Sequence, residues 1–211
     1  LARRVGLDRI DPVTLQPVTT PLPRELTLSP MDAVTGPDGD LWIVSRAGVF
    51  RISVGEDGAV EHEALELPEQ LTGRLEVISV APDGTVWLAG VAGVGRFDGT
   101  GWRLFTMDDG LLAQRVLNVV AVSHDEAWLS HHAATGVTRL TLVKEKLSLR
   151  HFSTADGLAS NRVWMLARDL QGNVWLGGAD GVSVIGPRDE VRVFTQADGL
   201  ITLRGDACLT I

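Results

Sequence analysis

Three arginines keep a fixed distance from three tryptophans. Arg74, Arg115 and Arg162 stand thirteen residues before Trp87, Trp128 and Trp175. Arg204 holds the matching place in a final copy, five residues past Gly199, just as Arg115 and Arg162 stand five past Gly110 and Gly157; the first copy has Ser29 there. A guanidinium is a planar fork of donors that grips a carboxylate or sulfate through paired, charge-assisted hydrogen bonds. Several of them around one opening would make a rim for an anionic ligand, an acidic sugar among the candidates. The structural alternative is that each arginine pairs with an acid of its own turn, such as Asp109 or Asp156. Two further residues join the candidate ligand-binding set. Trp164 offers an aromatic face to a sugar ring, with core packing as the alternative. Asp206 occupies an inner-strand place where the pattern wants an apolar residue, and either lines the same opening or belongs to a loose chain end.

Other chemistry has little support. His131 and His132 are adjacent on a strand, so they point to opposite faces and cannot jointly hold a metal. The chain contains no glycine-rich phosphate loop, no HExxH motif and no nucleophile elbow. Cys208 is the single cysteine, which excludes an internal disulfide, and its apolar surroundings favour packing over reactivity. The paired carboxylates Asp108-Asp109 and Asp125-Glu126 fall in turns and read as solvated charge. No catalytic residues, metal or cofactor are expected, so binding is favoured over catalysis.

The elements that would position the arginines are repeated. PDGDLWIVSRAGVFRI begins at Pro37, PDGTVWLAGVAGVGRF at Pro82, HDEAWLSHHAATGVTRL at His124 and LQGNVWLGGADGVSVI at Leu170. The tryptophans fall at Trp42, Trp87, Trp128 and Trp175, separated by 45, 41 and 47 residues. A second tag, Gly-Val/Leu-x-Arg-apolar, begins at Gly6, Gly48, Gly93 and Gly136, and a copy at Gly181 lacks the arginine. Self-similarity at this period marks a propeller or solenoid. Within one copy, Asn161 to Arg168 predicts an inner strand buried on both sides, Val174 to Gly177 a second, Gly181 to Ile185 a third, and Val191 to Phe194 an outer strand with one wetter face. Tight turns at Asp169–Asn173 and Ala179–Gly181 join them. The prediction is an all-β fold, a β-propeller of four-stranded antiparallel blades whose repeated tryptophans fill the gaps between blades.

Blade boundaries follow: a partial blade over 1–28, blades over 29–72, 73–112, 113–158 and 159–200, and an inner strand over 201–211 of a following or closing blade. Four complete blades flanked by two pieces predict a part of a larger propeller, with the remaining blades elsewhere in the polypeptide. Bulk properties narrow the partners. Among 211 residues, 45% are hydrophobic, which excludes general disorder, and the net charge of −8 argues against nucleic acid. No run of 18 apolar residues is present, so this segment is not expected to span a membrane, and no charged start with an apolar run, the mark of an export signal, is visible in it.

Phe105-Thr-Met-Asp-Asp-Gly-Leu, Phe152-Ser-Thr-Ala-Asp-Gly-Leu and Phe194-Thr-Gln-Ala-Asp-Gly-Leu each close an outer strand. The order F-x-x-x-D-G-L, N-x-V, D-x-x-G-N-x-W-[IL]-G, G-[LV]-x-x-apolar resembles the two-component regulator propeller repeat, and Asp156 to Ile185 carries that pattern almost completely. The copy around Trp42 lacks the Asp-Gly-Leu lead-in, and the one around Trp128 has His124-Asp-Glu in place of Asp-x-x-Gly-Asn. The resemblance implies an extracytoplasmic sensor segment of a bacterial membrane receptor, periplasmic or extracellular, binding a small molecule or oligosaccharide. It also implies signalling domains in the same polypeptide and allows a homodimer. Two alternatives stay open: a protein-interaction scaffold, and an enzyme of the streptogramin-lyase-like propeller group, whose blades share the G-x-L-W and G-[VI]-x-R tags.

Overall fold

The computed structural model describes residues 6–10, 17–21, 30–55, 59–72 and 74–200, the first two segments as backbone only. Strands β1 (Gly6–Ile10) and β2 (Pro17–Pro21) form a two-stranded antiparallel sheet. Four four-stranded antiparallel sheets follow in chain order. The first blade is β3 (Pro30–Thr35), β4 (Leu41–Ser45), β5 (Gly48–Val54) and β6 (Val60–Leu65). The second is β7 (Leu75–Val80), β8 (Val86–Gly90), β9 (Gly93–Phe97) and β10 (Trp102–Phe105). The third is β11 (Val116–Ser123), β12 (Glu126–His131), β13 (Val137–Val143) and β14 (Lys146–Phe152). The fourth is β15 (Val163–Arg168), β16 (Val174–Gly178), β17 (Gly181–Ile185) and β18 (Val191–Phe194).

The connections that leave the second, third and fourth outer strands explain the F-x-x-x-D-G-L motif. After Phe105, Thr106 caps a single 3₁₀ turn: its backbone N–H and hydroxyl donate to Asp109 Oδ2 at 2.8 and 3.2 Å, and its oxygen accepts from Asp108 N. This is a reciprocal capping box. Gly110 then takes φ +103°, a left-handed backbone that glycine adopts without a Cβ penalty. Ser153, Asp156 and Gly157 repeat the device, and so do Thr195, Asp198 and Gly199. The following leucines, Leu111 and Leu158, are buried beneath it.

Apolar clusters lie between blades. Trp42 of the first blade packs with Leu75, Ile78, Val86 and Leu88 of the second. Trp87 packs with Leu111, Val116, Val119 and Leu129 of the third, and Trp128 with Leu158, Val163, Val174 and Leu176 of the fourth. Each of these indoles is buried, as the repeat predicted. Two of them also meet the phenylalanine that ends their own outer strand: Trp87 lies 5.9 Å from Phe105 and Trp128 5.4 Å from Phe152. The Trp175–Phe194 stack, at 6.1 Å, sits on the far face of the fourth blade, and Phe194 remains 37% exposed. Trp102, off the repeat register, packs on Phe97 and donates to Glu66 O of the first blade at 2.8 Å.

One expectation is corrected. The inner strand was to be the one buried on both sides, but the second strand is: β8 is buried at every residue, whereas β15 keeps Trp164 and Arg168 exposed. The inner strand has a partner along one edge only, and its other edge faces the axis. That edge is capped from neighbouring blades. Asp32 Oδ2 accepts from Ile78 N and Ser79 Oγ from Ala121 N, both at 3.0 Å, while Asn118 Nδ2 donates to Trp164 O at 3.0 Å. Successive inner strands β3, β7, β11 and β15 thus touch in order, and the architecture is that of a β-propeller.

Candidate functional site

The Asp-Gly-Leu turns at Gly110 and Gly157 deliver the chain to the starts of β11 and β15, on one face of the array. A β-bulge sits at the same point in all four inner strands, between Pro30 and Asp32, Leu75 and Val77, Val116 and Asn118, and Val163 and Met165. The extra residues are Met31, Glu76, Leu117 and Trp164. Bulges re-aim side chains and interrupt pairing, and they concentrate at barrel rims and sites. Arg74, Arg115 and Arg162 each stand two residues before the bulge residue, so a guanidinium and a variable side chain are presented together at the second, third and fourth blades; the first has Ser29 in that place.

The backbone at these arginines is fixed tightly. Arg74 O accepts from Val91 N and Arg115 O from His132 N, both at 3.0 Å. A Cβ on Gly90 would approach Arg74 O to 2.0 Å, and one on Gly178 would approach Arg162 O to 2.7 Å. In the second and fourth blades, Gly90 and Gly178 therefore leave no room for a Cβ beside the arginine-bearing backbone.

The side chains do not behave as one ring. Arg74 and Arg162 are exposed, and neither has a carboxylate within 4.0 Å among the described residues. Arg115 grips Glu76, the bulge residue of the preceding blade, in a bidentate pair with contacts of 3.0 to 3.2 Å. The structural alternative is also corrected, because Asp109 and Asp156 are consumed by their capping boxes and hold no arginine. Asp156 is accordingly pushed below the usual carboxylate range, chiefly by the Ser153 N–H and hydroxyl. Trp164 is 45% exposed rather than packed in the core. Arg204, Asp206 and Cys208 lie outside the described residues. Asp206 nonetheless follows Arg204 by the two residues that separate Trp164 from Arg162, so both residues singled out beside the arginines hold the same repeat position.

His131 breaks the pattern where Gly90 and Gly178 stand, pairing with Val116 as they pair with Leu75 and Val163. Its ring is 2% exposed, and its Nε2 lies 2.9 Å from Thr138 Oγ1, which lies 2.9 Å from His151 Nδ1. Burial, helped by the neighbouring His151, pushes His131 down to about 4, so it is neutral at neutral pH. With a single hydroxyl proton, Thr138 donates to one ring and accepts from the other. His132, next in sequence, is exposed, in line with the opposed orientation expected of the pair.

The opposite face carries a network that sequence reasoning missed. Arg96 is 4% exposed; it donates to His124 O at 3.2 Å and to Glu145 Oε2 at 3.3 Å, and Arg103 donates to the same carboxylate at 2.8 Å. One blade on, Arg139 and Arg150 both bind Asp189, and Arg139 also holds Glu126 in a bidentate pair. Two arginines of one blade thus clamp one acid in the third turn of the next, and both acids have left-handed backbones, φ +62° and +66°. The signal was present as the recurring arginine of the Gly-Val/Leu-x-Arg tag. Asp125 and Glu126, read as solvated, belong to this network. His124, Asp125 and Glu145 bring three ligand atoms within 4.8 Å of one another. Two guanidiniums already neutralise Glu145, so the cluster is an ion-pair staple between blades and not a cation cage.

Comparison with known proteins defines the architecture and no family. No family model matches the chain, and no curated protein matches it in sequence. Among solved structures, virginiamycin B lyase from Staphylococcus aureus superposes with a TM-score of 0.64 at 16% identity, over 90% of this chain and 62% of the lyase. The extracellular domain of a hybrid two-component system from B. thetaiotaomicron gives 0.55 at 20% identity, over 86% of this chain and 24% of that one. An auxiliary nutrient binding protein from Bacteroides ovatus gives 0.61 at 12% identity, over 92% and 53%. The chain thus spans less than two thirds of each of these relatives. At such identities the likeness is one of fold, and the fold is the β-propeller.

Proposed function

We propose that this chain is a ligand-sensing β-propeller segment of an extracytoplasmic bacterial receptor, binding a small anionic ligand such as an acidic oligosaccharide at the bulged rim. The observation that carries the reading is the bulge repeated in the four described inner strands, which sets Arg74 and Arg162, unpaired among the described residues, beside residues that differ from blade to blade. The exposed Trp164 adds an aromatic face suited to a sugar ring. Likeness to the extracellular domain of a two-component system supports a periplasmic or extracellular setting, with signalling domains in the same polypeptide; the net charge of −8 argues against a nucleic-acid partner. Among the described residues no helix is long and apolar enough to cross a membrane. Binding without turnover suits this rim: among the described residues Arg74 and Arg162 have no carboxylate within 4.0 Å, Arg115 is tied to Glu76, and His131 is buried and neutral.

The test is a calorimetric titration with oligogalacturonate, with a neutral oligosaccharide of equal length as control. The acidic oligosaccharide binds, and replacing Arg74 and Arg162 together by Ala weakens it about tenfold or more. Arg115→Ala has a smaller effect, because its guanidinium is already engaged. Equal binding by the double variant overturns the reading. Quinupristin, the compound bound in an inactive variant of the Staphylococcus aureus lyase, stays unconverted on incubation; its conversion would instead establish an enzyme.

A further inference from the structure

Seven residues before the four repeated tryptophans stand Thr35, Val80, Ala121 and Arg168. Each lies at or near the end of the inner strand, opposite the residue that precedes the tryptophan, Leu41, Val86, Ala127 and Val174. Three copies place a small or apolar side chain there, and Ala121 is 9% exposed within the interblade cluster. The fourth alone places a charge. Arg168 is exposed and, among the described residues, has no carboxylate within 4.0 Å.

This guanidinium lines a cleft of about 230 Å³ between the third and fourth blades, on the face opposite the rim. Val122, Trp128 and Pro187 supply its apolar walls, Gly172 and Gly186 line it without side chains, and Glu126 and Arg139 close one side. A Cβ on Gly172 would meet Arg168 Nη2 and Pro187 Cγ, each at 3.6 Å, so cation and apolar wall flank the same glycine.

The preceding junction shows why the space is open. Between the second and third blades, Trp87 Nε1 donates to Ser123 O at 3.1 Å, and His124 N donates to Asp83 Oδ2 at 2.5 Å. His124 Nδ1 lies 3.5 Å from Thr85 Oγ1, so the Ser123–His124 turn wedges against the second blade. Between the third and fourth blades Trp128 Nε1 turns back to Glu126 of its own strand at 3.2 Å, and Leu170, at the corresponding turn, is fully exposed. Nothing on the fourth blade takes the wedge's place.

We propose that this cleft is a binding site for a small organic monocarboxylate with a flat apolar body. Arg139 is saturated by Glu126 and Asp189, which leaves Arg168 as the cation with open donors. A carboxylate matches its fork, and the apolar remainder lies along Trp128 and Pro187. Glu126 disfavours a dianion by like-charge repulsion. The volume is that of about eight waters, enough for a single small ring. Arg168 and Arg162 stand at opposite ends of one strand, so this site stands or falls separately from the rim.

The test uses benzoate as probe, followed by isothermal titration and two-dimensional NMR of the intact chain, with thermal melting to confirm that the variants fold. Benzoate binds and shifts the Trp128 indole resonance, and benzamide, its neutral counterpart, binds about tenfold more weakly or worse. Arg168→Gln loses about tenfold or more, and Arg168→Lys falls between. Absence of benzoate binding, equal affinity for benzamide, undiminished binding by Arg168→Gln, or inorganic phosphate binding as tightly as benzoate each overturn the assignment.

Discussion

The junction between the second and third blades and the one between the third and fourth are built from the same repeat, yet they close differently. Both bury a tryptophan against the phenylalanine of its own outer strand, and both carry a two-arginine clamp on a left-handed acid. At the first, the shortened turn at Ser123–Asp125 drives a histidine against the neighbouring blade, and Arg96 is buried beneath it. At the second, the longer Asp169–Asn173 turn satisfies itself: Asp169 accepts from Asn173 and from Trp175 Nε1, and the Trp175 and Asn173 donors hold it down to about 2. Apolar packing is thus shared between copies, while polar closure depends on a few turn residues. That leaves one junction free to keep an opening.

Truncating the indoles breaks this comparison most sharply. Trp87→Ala removes a fully buried side chain and should cost about 3–5 kcal/mol in urea denaturation. Trp128→Ala, at the open junction, should cost less, and Trp175→Ala, half-buried on the far face, least. Equal losses at Trp87 and Trp128 would show that the cleft does not loosen its junction.

A second test sets the third blade against its neighbours, which have glycine where it has His131. The unfolded imidazole takes a proton below about 6.5, whereas the folded one resists until about 4, so the unfolded state binds more protons between these values. Stability is present above about 6.5 and is lost as pH falls toward 4, by on the order of 3 kcal/mol from this group. His151, lowered in the same direction by burial, adds to the slope. Melting temperature followed against pH should show the fall, and His131→Gln should flatten it; an unchanged slope in that variant would place the proton elsewhere.

The smallest effect distinguishes the two turns that enter these junctions. Gly110→Ala and Gly157→Ala each pay about 1 kcal/mol for a left-handed Cβ. The first also presses on Leu149 Cδ1 at 3.3 Å, whereas the second meets Val191 at an ordinary 3.8 Å. Gly110→Ala should therefore melt lower by a small margin, and the reverse order would mean that the second junction is the tighter.

Blade number, strand order and the buried tryptophans were legible because they recur, and recurrence averages out what is peculiar to one copy. The arginine rim was half legible. Spacing located Arg74, Arg115 and Arg162, but Arg115 is tied to Glu76, thirty-nine residues away on another blade, a pairing that no local pattern signals. The exposure of Trp164 followed from a bulge, which shifts register by one residue and leaves no mark in composition. The interblade clamps at Glu145 and Asp189 were hidden because only one arginine of each pair belongs to the recurring tag.

What the amino-acid order determined by itself is the local and periodic part. Alternating and continuous apolar runs make short strands, Asp-Gly turns and capping boxes join them, and an aromatic recurs where each sheet needs a neighbour. What the tertiary structure alone decided is which polar groups stay free. Arg168 and Arg162 are unpaired among the described residues, while Arg115, Arg96 and Arg139 are engaged, because an ion pair forms only where two distant strands bring opposite charges within reach. Strand formation depends on neighbours along the chain, whereas charge pairing depends on the packing of one blade against the next.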